Sequence, residues 1–127
     1  MNYPNSDSVT RTLSPTGREV PSDVMALYFW LLRSPAFKEQ FLERASFMYR
    51  EVFSPERVKQ GIDYFEQMYT PEMEREQKRW KHIRDWNQSV GVLRRFFALR
   101  PAMMRRQFRT HFNLSAEETD RLFPEWK

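Results

Sequence analysis

The chain has 127 residues, of which 40% are apolar and 30% are charged, and its formal net charge at pH 7 is +4. This length suits one domain or part of one, and 11 Phe, 5 Tyr and 4 Trp provide enough bulk for a core. The absence of cysteine excludes disulfides and thiolate metal sites. With three glycines and no strand-like alternation, the sequence predicts an all-α fold.

The N-terminal stretch carries no recognisable targeting signal. Residues 1–20 are polar and lack a basic start that leads into an apolar stretch, so they do not resemble a signal peptide. Residues 1–21 contain three prolines and a glycine among Ser, Thr and Asn, which predicts a loop or a disordered lead-in. The longest apolar run, Val24–Leu32, has nine residues, whereas a membrane span needs about 18. The compartment stays open.

The first predicted helix, Val24–Arg33, is apolar around its whole circumference and has Ser22 or Asp23 as its cap. A helix without a polar face must be buried on several sides. Two neighbouring helices cannot cover it completely, so we expect an apolar face that the rest of the chain covers only in part. Such a face favours self-association through Val24–Leu32.

Four residue–proline pairs predict further helix starts. Proline is tolerated in the first turn of a helix because the N–H group that it lacks would have had no hydrogen-bond partner there. The pairs are Ser34-Pro35, Ser54-Pro55, Thr70-Pro71 and Arg100-Pro101. The predicted helices are Pro35–Val52, Pro55–Tyr69, Pro71–Ile83, Trp86–Leu99 and Pro101–Phe112. A capping-box pattern from Ser115 to Glu118 opens a last helix, which Pro124 stops.

The expected architecture is a compact bundle of six to seven short antiparallel helices over residues 22–123, with a tail at 124–127. Apolar positions at helical spacing define its core. The side chains expected to be largely buried are Phe41, Met48, Ile62, Phe65, Trp80, Trp86, Leu93, Phe97 and Phe108.

Residues 78–112 form a basic block with ten basic side chains and one acidic side chain, Asp85, whereas residues 1–77 have a net charge of −3. Arginines next to aromatics can form a nucleic-acid surface. Here the aromatics fall on the core stripe, which favours arginines on a solvated face or against acidic neighbours. A free-standing interaction module, with this basic face bound to an acidic partner or nucleic acid, is the alternative function.

No residue is identified as catalytic, cofactor-binding or metal-binding. The two histidines lie 29 positions apart without ligand spacing, the three clustered glutamates point in different directions on a helix, and the serines stand in no nucleophile motif. These candidates are His82, His111, Glu72, Glu74, Glu76, Ser46, Ser89 and Ser115.

An ordered set of short motifs over residues 27–114 resembles the C-terminal part of the spore-coat protein H (CotH) kinase-like family. Two positions depart from the family pattern, Arg50 and Glu76. The set comprises Phe37–Phe41, Arg44, Phe53-Ser54-Pro55-Glu56-Arg57-Val58, Ile62-Asp63, Pro71-Glu72-Met73, Arg79-Trp80, Trp86, Val90, Leu93-Arg94, Phe96, Arg100-Pro101 and His111-Phe112.

The resemblance implies an atypical protein kinase that uses ATP and a divalent metal to phosphorylate Ser, often in the spore coat or at the cell surface. It also implies that the metal-holding aspartates lie upstream of this region. The expected partner is therefore the upstream kinase-like part of the same protein. The five aspartates of the chain occur in no Asp-x-Asp setting, so the chain alone is expected to be inactive.

Overall fold

The computed structural model describes residues 6–7, 9, 22–80 and 85–126. Five α-helices occur in these ranges, and none of the described residues is in a strand, which confirms the all-α prediction. They are α1 (Ser22–Leu31), α2 (Pro35–Phe47), α3 (Pro55–Trp80), α4 (Trp86–Phe112) and α5 (Ala116–Leu122). A π-helical turn, Met48–Val52, continues α2, where an unbroken α-helix to Val52 was predicted.

The predicted count of six to seven short helices is wrong, because Pro71 and Pro101 lie inside α3 and α4. Thr70 does not act as a cap: its hydroxyl donates back to the carbonyl of Glu66 at 2.6 Å, a bond that a helix interior allows. Arg100 donates to the backbone carbonyl of Ser6 at 2.9 Å. Neither side chain caps a helix start here.

The predicted starts at Ser34, Ser54 and Ser115 are confirmed. The hydroxyls of Ser34 and Ser54 each accept from the amide three residues on, at 3.4 Å. Ser115 and Glu118 form a reciprocal capping box. Helix α1 begins at Ser22, so Asp23 lies in its first turn and is not its cap.

The core lies where α2, the C-terminal half of α4 and α5 meet. Phe123 has no exposed surface and stacks on Phe108, with ring centroids 4.8 Å apart. Asn113 ends α4 in a left-handed conformation at φ 53°, and the amide of Leu114 then bonds to the carbonyl of Arg109 at 3.0 Å. The buried members of this cluster are Leu42, Tyr49, Phe112, Leu114, Leu122 and Phe123.

Side chains of α2, the π-helical turn and α4 donate to backbone carbonyls at the C-terminal ends of α4 and α5. We call this set the carbonyl clasp. It joins Ser46 Oγ to Leu122 O at 2.6 Å, Tyr49 Oη to Pro124 O at 3.0 Å, Arg105 Nε to Phe123 O at 2.8 Å, and Lys38 Nζ to Phe112 O at 3.3 Å. The clasp satisfies carbonyls that have no partner within their own helices.

Helices α3 and α4 form an antiparallel hairpin that polar contacts hold together. Near its closed end, Trp86 Nε1 donates to Thr70 Oγ1 at 2.9 Å. Further along, Arg94 pairs with Glu66 and, at 2.6 Å, with Asp63. Asp63 also accepts from Lys59 at 2.8 Å. The hydrogen bonds from Lys59 and Arg94 hold the pKa of Asp63 below its ordinary value.

The predicted core is wrong in its extent. None of its nine side chains is fully buried, and three are exposed: Phe65, Trp80 and Leu93. Helix α3 has no buried residue along its 26 positions. Its partner within the described part of the chain is α4, and one neighbouring helix can cover only one stripe of another.

The lead-in predicted over residues 1–21 lies outside the described residues except at Ser6, Asp7 and Val9. Val9 is buried. The carbonyl of Ser6 accepts from Arg100 and from Gln107 Nε2, each at 2.9 Å. Ser6 therefore contacts the side of α4. Beyond α5, Trp126 stacks on Tyr49.

Replacing Phe123 with Ala should lower the free energy of unfolding by about 3–5 kcal/mol, because the ring is enclosed and its loss leaves a cavity. Urea denaturation measures the change. Phe65→Ala, at a side chain that is 52% exposed, is the matched control and should cost far less. Equal losses for the two variants would contradict the core assigned here.

The Asp63 ion pair should stabilise the hairpin above pH 4 and stop doing so in acid. Because the folded-state pKa of Asp63 is lowered from 3.8, its contribution is present above the unfolded-state pKa and is lost as the pH falls through the folded-state pKa. The melting temperature measured between pH 2 and pH 6 shows the effect (about two pH units on either side of the ordinary Asp pKa). Asp63→Asn should reduce the fall in melting temperature at acid pH. An unchanged fall would exclude the ion pair as its cause.

Candidate interaction surfaces

The outer side of α1 is an uncovered apolar surface, as the sequence predicts. Leu27 is 60% exposed and Trp30 is 67% exposed, and Val24 and Leu31 are exposed beside them. Met25 is buried on the opposite side. The guanidinium of Arg33 lies 4.4 Å from the centre of the Trp30 ring, so the far end of this surface is capped by a cation.

Tyr28 attaches α1 to α2. Its ring contacts Phe41 edge to face, with centroids 5.7 Å apart. Burial raises the pKa of Tyr28 to about 12, so the phenol stays protonated at neutral pH. Its hydroxyl has no hydrogen-bond partner among the described residues. The contact of α1 with the bundle is therefore apolar on this side.

A second uncovered apolar surface lies on α3. It consists of Tyr64, Phe65, Met68 and Tyr69, all of which are exposed. The rings of Phe65 and Tyr69 stack on each other at 6.0 Å. Gly61 precedes this group, and a Cβ atom added there would meet nothing within 4 Å. The described chain thus leaves this side of α3 open to approach.

An apolar cavity of about 290 Å³ separates the π-helical turn from α4. Met48 and Phe53 line one wall, and Phe97, Pro101 and Met104 line the other. The π-helical turn shapes the first wall, because the amide of Phe53 bonds five residues back to Met48 O at 2.9 Å. The cavity explains why Met48 and Phe97, both predicted core residues, are only half-buried.

The basic block divides according to which side of α4 each arginine occupies. Arg94 pairs with Asp63 and Glu66, and Arg105 pairs with Asp120 and, at 3.2 Å, with Glu125. These pairs match the expected arrangement of arginines against acidic neighbours. Three arginines remain exposed along the outer side of α4: Arg95, Arg106 and Arg109.

The other sequence candidates have structural roles or lie outside the described residues. His82 is among the residues not described, and burial lowers the pKa of His111. Ser46 belongs to the carbonyl clasp and Ser115 caps α5. The three glutamates, which follow the predicted helix start at Pro71, lie inside α3, where Glu72 pairs with Arg75 at 3.2 Å.

The described residues contain no group of three or more His, Asp or Glu side chains that could hold a metal ion. No helix in the described ranges is long and apolar enough to cross a membrane.

The comparison with family models agrees with the resemblance seen in the ordered motifs. A family described as CotH kinase protein matches residues 6–104, well over half of the chain. The match begins nearer the N-terminus than the resemblance over residues 27–114, and it includes Ser6 and Val9, which contact α4 or lie buried. No curated protein and no solved structure matches the chain. The chain belongs to the CotH kinase family.

Proposed function

We propose that this chain is the helical C-terminal segment of a CotH-like atypical protein kinase. In the parent protein it packs against the upstream part, which binds ATP and a divalent metal and phosphorylates Ser. A location in the spore coat or at the cell surface belongs to the same proposal. The observation that carries it is the pair of uncovered apolar surfaces on α1 and α3 in a member of this family.

The exposed apolar side chains of α1 and α3 are large enough for a partner to bind them stably. A large apolar side chain gains about 1.5–3 kcal/mol when it is fully buried. Leu27, Trp30, Tyr64 and Phe65 are each more than half exposed. A partner that covered all four would gain several kcal/mol, which is comparable with the net stability of a small domain. A permanent neighbour in the same protein provides such a cover.

The aspartates of the chain support a structural role for this segment. Asp63 pairs with Lys59 and Arg94, Asp120 pairs with Arg105, and Asp85 caps α4 by accepting from the amide of Asn87 at 2.9 Å. A kinase needs carboxylates that hold the metal bound to the phosphates of ATP. These three carboxylates already serve the fold of the hairpin and of α5.

The free-standing interaction module remains the second candidate, and the exposed arginines of α4 favour it. Complete burial of Tyr28, Phe29 and Trp30 within the chain would have supported this candidate, but Trp30 is 67% exposed. The DNA upstream of the Met1 codon separates the two. An in-frame region that encodes a kinase-like part supports the proposal, and its absence supports the module.

The isolated chain should transfer no phosphate. Purified protein incubated with radiolabelled ATP and Mg²⁺ or Mn²⁺ is expected to label neither itself nor a Ser-containing acceptor protein, because the metal-holding carboxylates are supplied upstream. Metal-dependent labelling that disappears when a residue of the chain is substituted would refute this assignment.

The isolated chain should also self-associate through α1. Leu27→Glu with Trp30→Glu places two charges on the exposed apolar side and should shift sedimentation at high concentration towards the monomer. Gln40→Glu with Gln67→Glu adds the same two charges at exposed positions on α2 and α3 and serves as the control. A chain that is already monomeric at high concentration would contradict the prediction.

A further inference from the structure

The six arginines of α4 fall into two sets. Arg94, Arg100 and Arg105 bond to acidic side chains or backbone carbonyls of the bundle. Arg95, Arg106 and Arg109 are exposed, and no ion pair joins them to any part of the chain that the structure describes. The first set therefore has hydrogen-bond partners within the chain, and the second set faces solvent.

The second set forms a straight line of charge. At about 100° and 1.5 Å per residue, Arg95, Arg106 and Arg109 lie within roughly 60° of one another around α4 and extend over about 21 Å. Helix α4 contains no Asp or Glu between Trp86 and Phe112. No carboxylate of the same helix can therefore pair with them.

Small and apolar residues lie beside these charges on the same side of α4. Gly91, Ala98 and Ala102 are exposed on the same side of α4, and a Cβ atom added at Gly91 would meet nothing within 4 Å. Val92 and Leu99 are about half exposed next to them. Small side chains allow another helix axis to approach closely, because interaxial distance depends on the side chains at the contact.

We propose that this side of α4, which we call the arginine face (Arg95, Arg106, Arg109 with Val92 and Leu99), binds an acidic amphipathic helix of another protein. The apolar stripe of that helix packs on Val92 and Leu99, and the small residues on the other side of the arginine line let the helix lie close. Its carboxylates, along the edge of the stripe that faces the arginines, meet Arg95, Arg106 and Arg109. The arrangement is complementary in both charge and shape.

The proposal goes beyond the kinase assignment and does not depend on it. Arg106 and Arg109 lie past residue 104, where the family match ends. The arginine face therefore extends beyond the region that the family model matches.

A nucleic acid fits the face less well than an acidic helix does. Binding of single strands combines phosphate contacts with stacking of bases on aromatic rings. The nearest aromatics, Phe96 and Phe97, project about 100° or more away from Arg95 around the helix. Phe97 lines the apolar cavity on the other side of α4. The face offers apolar contact without a stacking surface.

Fluorescence anisotropy with two labelled synthetic peptides tests the proposal on the full chain. Both peptides are helices of about 20 residues (~30 Å long) with the same Leu and Ala stripe. One has Glu along the edges of the stripe and the other has Lys. The Glu peptide should bind, and its affinity should fall as salt is added, whereas the Lys peptide should not bind. Absence of binding by the Glu peptide overturns the proposal.

Substitutions on the chain locate the site. A triple variant should lower the affinity for the Glu peptide about tenfold or more. It combines Arg95→Glu, Arg106→Glu and Arg109→Glu. Arg50→Glu, Arg57→Glu and Lys78→Glu together change the net charge equally at other exposed positions and should leave binding nearly unchanged. Equal losses for the two triple variants overturn the assignment to this face, because they indicate a general charge effect.

A third variant tests the mode of contact. Ala98→Trp leaves the charge unchanged but blocks close approach, so it should weaken the Glu peptide while circular dichroism stays the same. Unchanged binding by this variant overturns the helix as the occupant. A single-stranded DNA of about 20 nucleotides is long enough to fill a typical single-strand binding site. If it binds more tightly than the Glu peptide, the proposal is overturned in favour of a nucleic-acid surface.

Discussion

The carbonyl clasp is the constraint on which the rest of the fold depends. Its acceptors lie where helices end, and a buried carbonyl without a donor costs about 1–3 kcal/mol. The aromatic core around Phe123 can close only if these acceptors find donors at the same time. Ser46, Tyr49 and Arg105 supply them from α2, the π-helical turn and α4. Packing and hydrogen bonding are thus coupled in this half of the molecule.

The other half of the molecule is built differently. The α3–α4 hairpin is held by the Trp86–Thr70 hydrogen bond and by the ion pairs of Arg94, and α3 buries no side chain. Exposed ion pairs contribute about 0–1 kcal/mol each, so they fix the register of two helices more than they stabilise them. The hairpin therefore keeps its outer sides, aromatic on α3 and basic on α4, free for contacts outside the described chain.

The sequence predicted what is local and missed what is not. Helix class and the caps at Ser34, Ser54 and Ser115 follow from neighbouring residues, and all are confirmed. The positions of Pro71 and Pro101 inside helices could not be predicted, because the same residue–proline pairs also occur at helix starts. Apolar periodicity assigned Phe65 of α3 to the core but could not show that the described chain leaves this side chain exposed. Three of the four bonds of the clasp join residues more than 70 positions apart, beyond the range of any local pattern.

The uncovered surfaces differ in the kind of contact they support. Apolar burial on α1 and α3 yields a free energy that salt does not screen, and it grows with area. That suits a neighbour that stays in place, such as the rest of a kinase fold. Contacts with Arg95, Arg106 and Arg109 gain little per charge and weaken with ionic strength, but they speed encounter with an oppositely charged surface. The chain therefore combines surfaces suited to permanent packing with one suited to reversible binding.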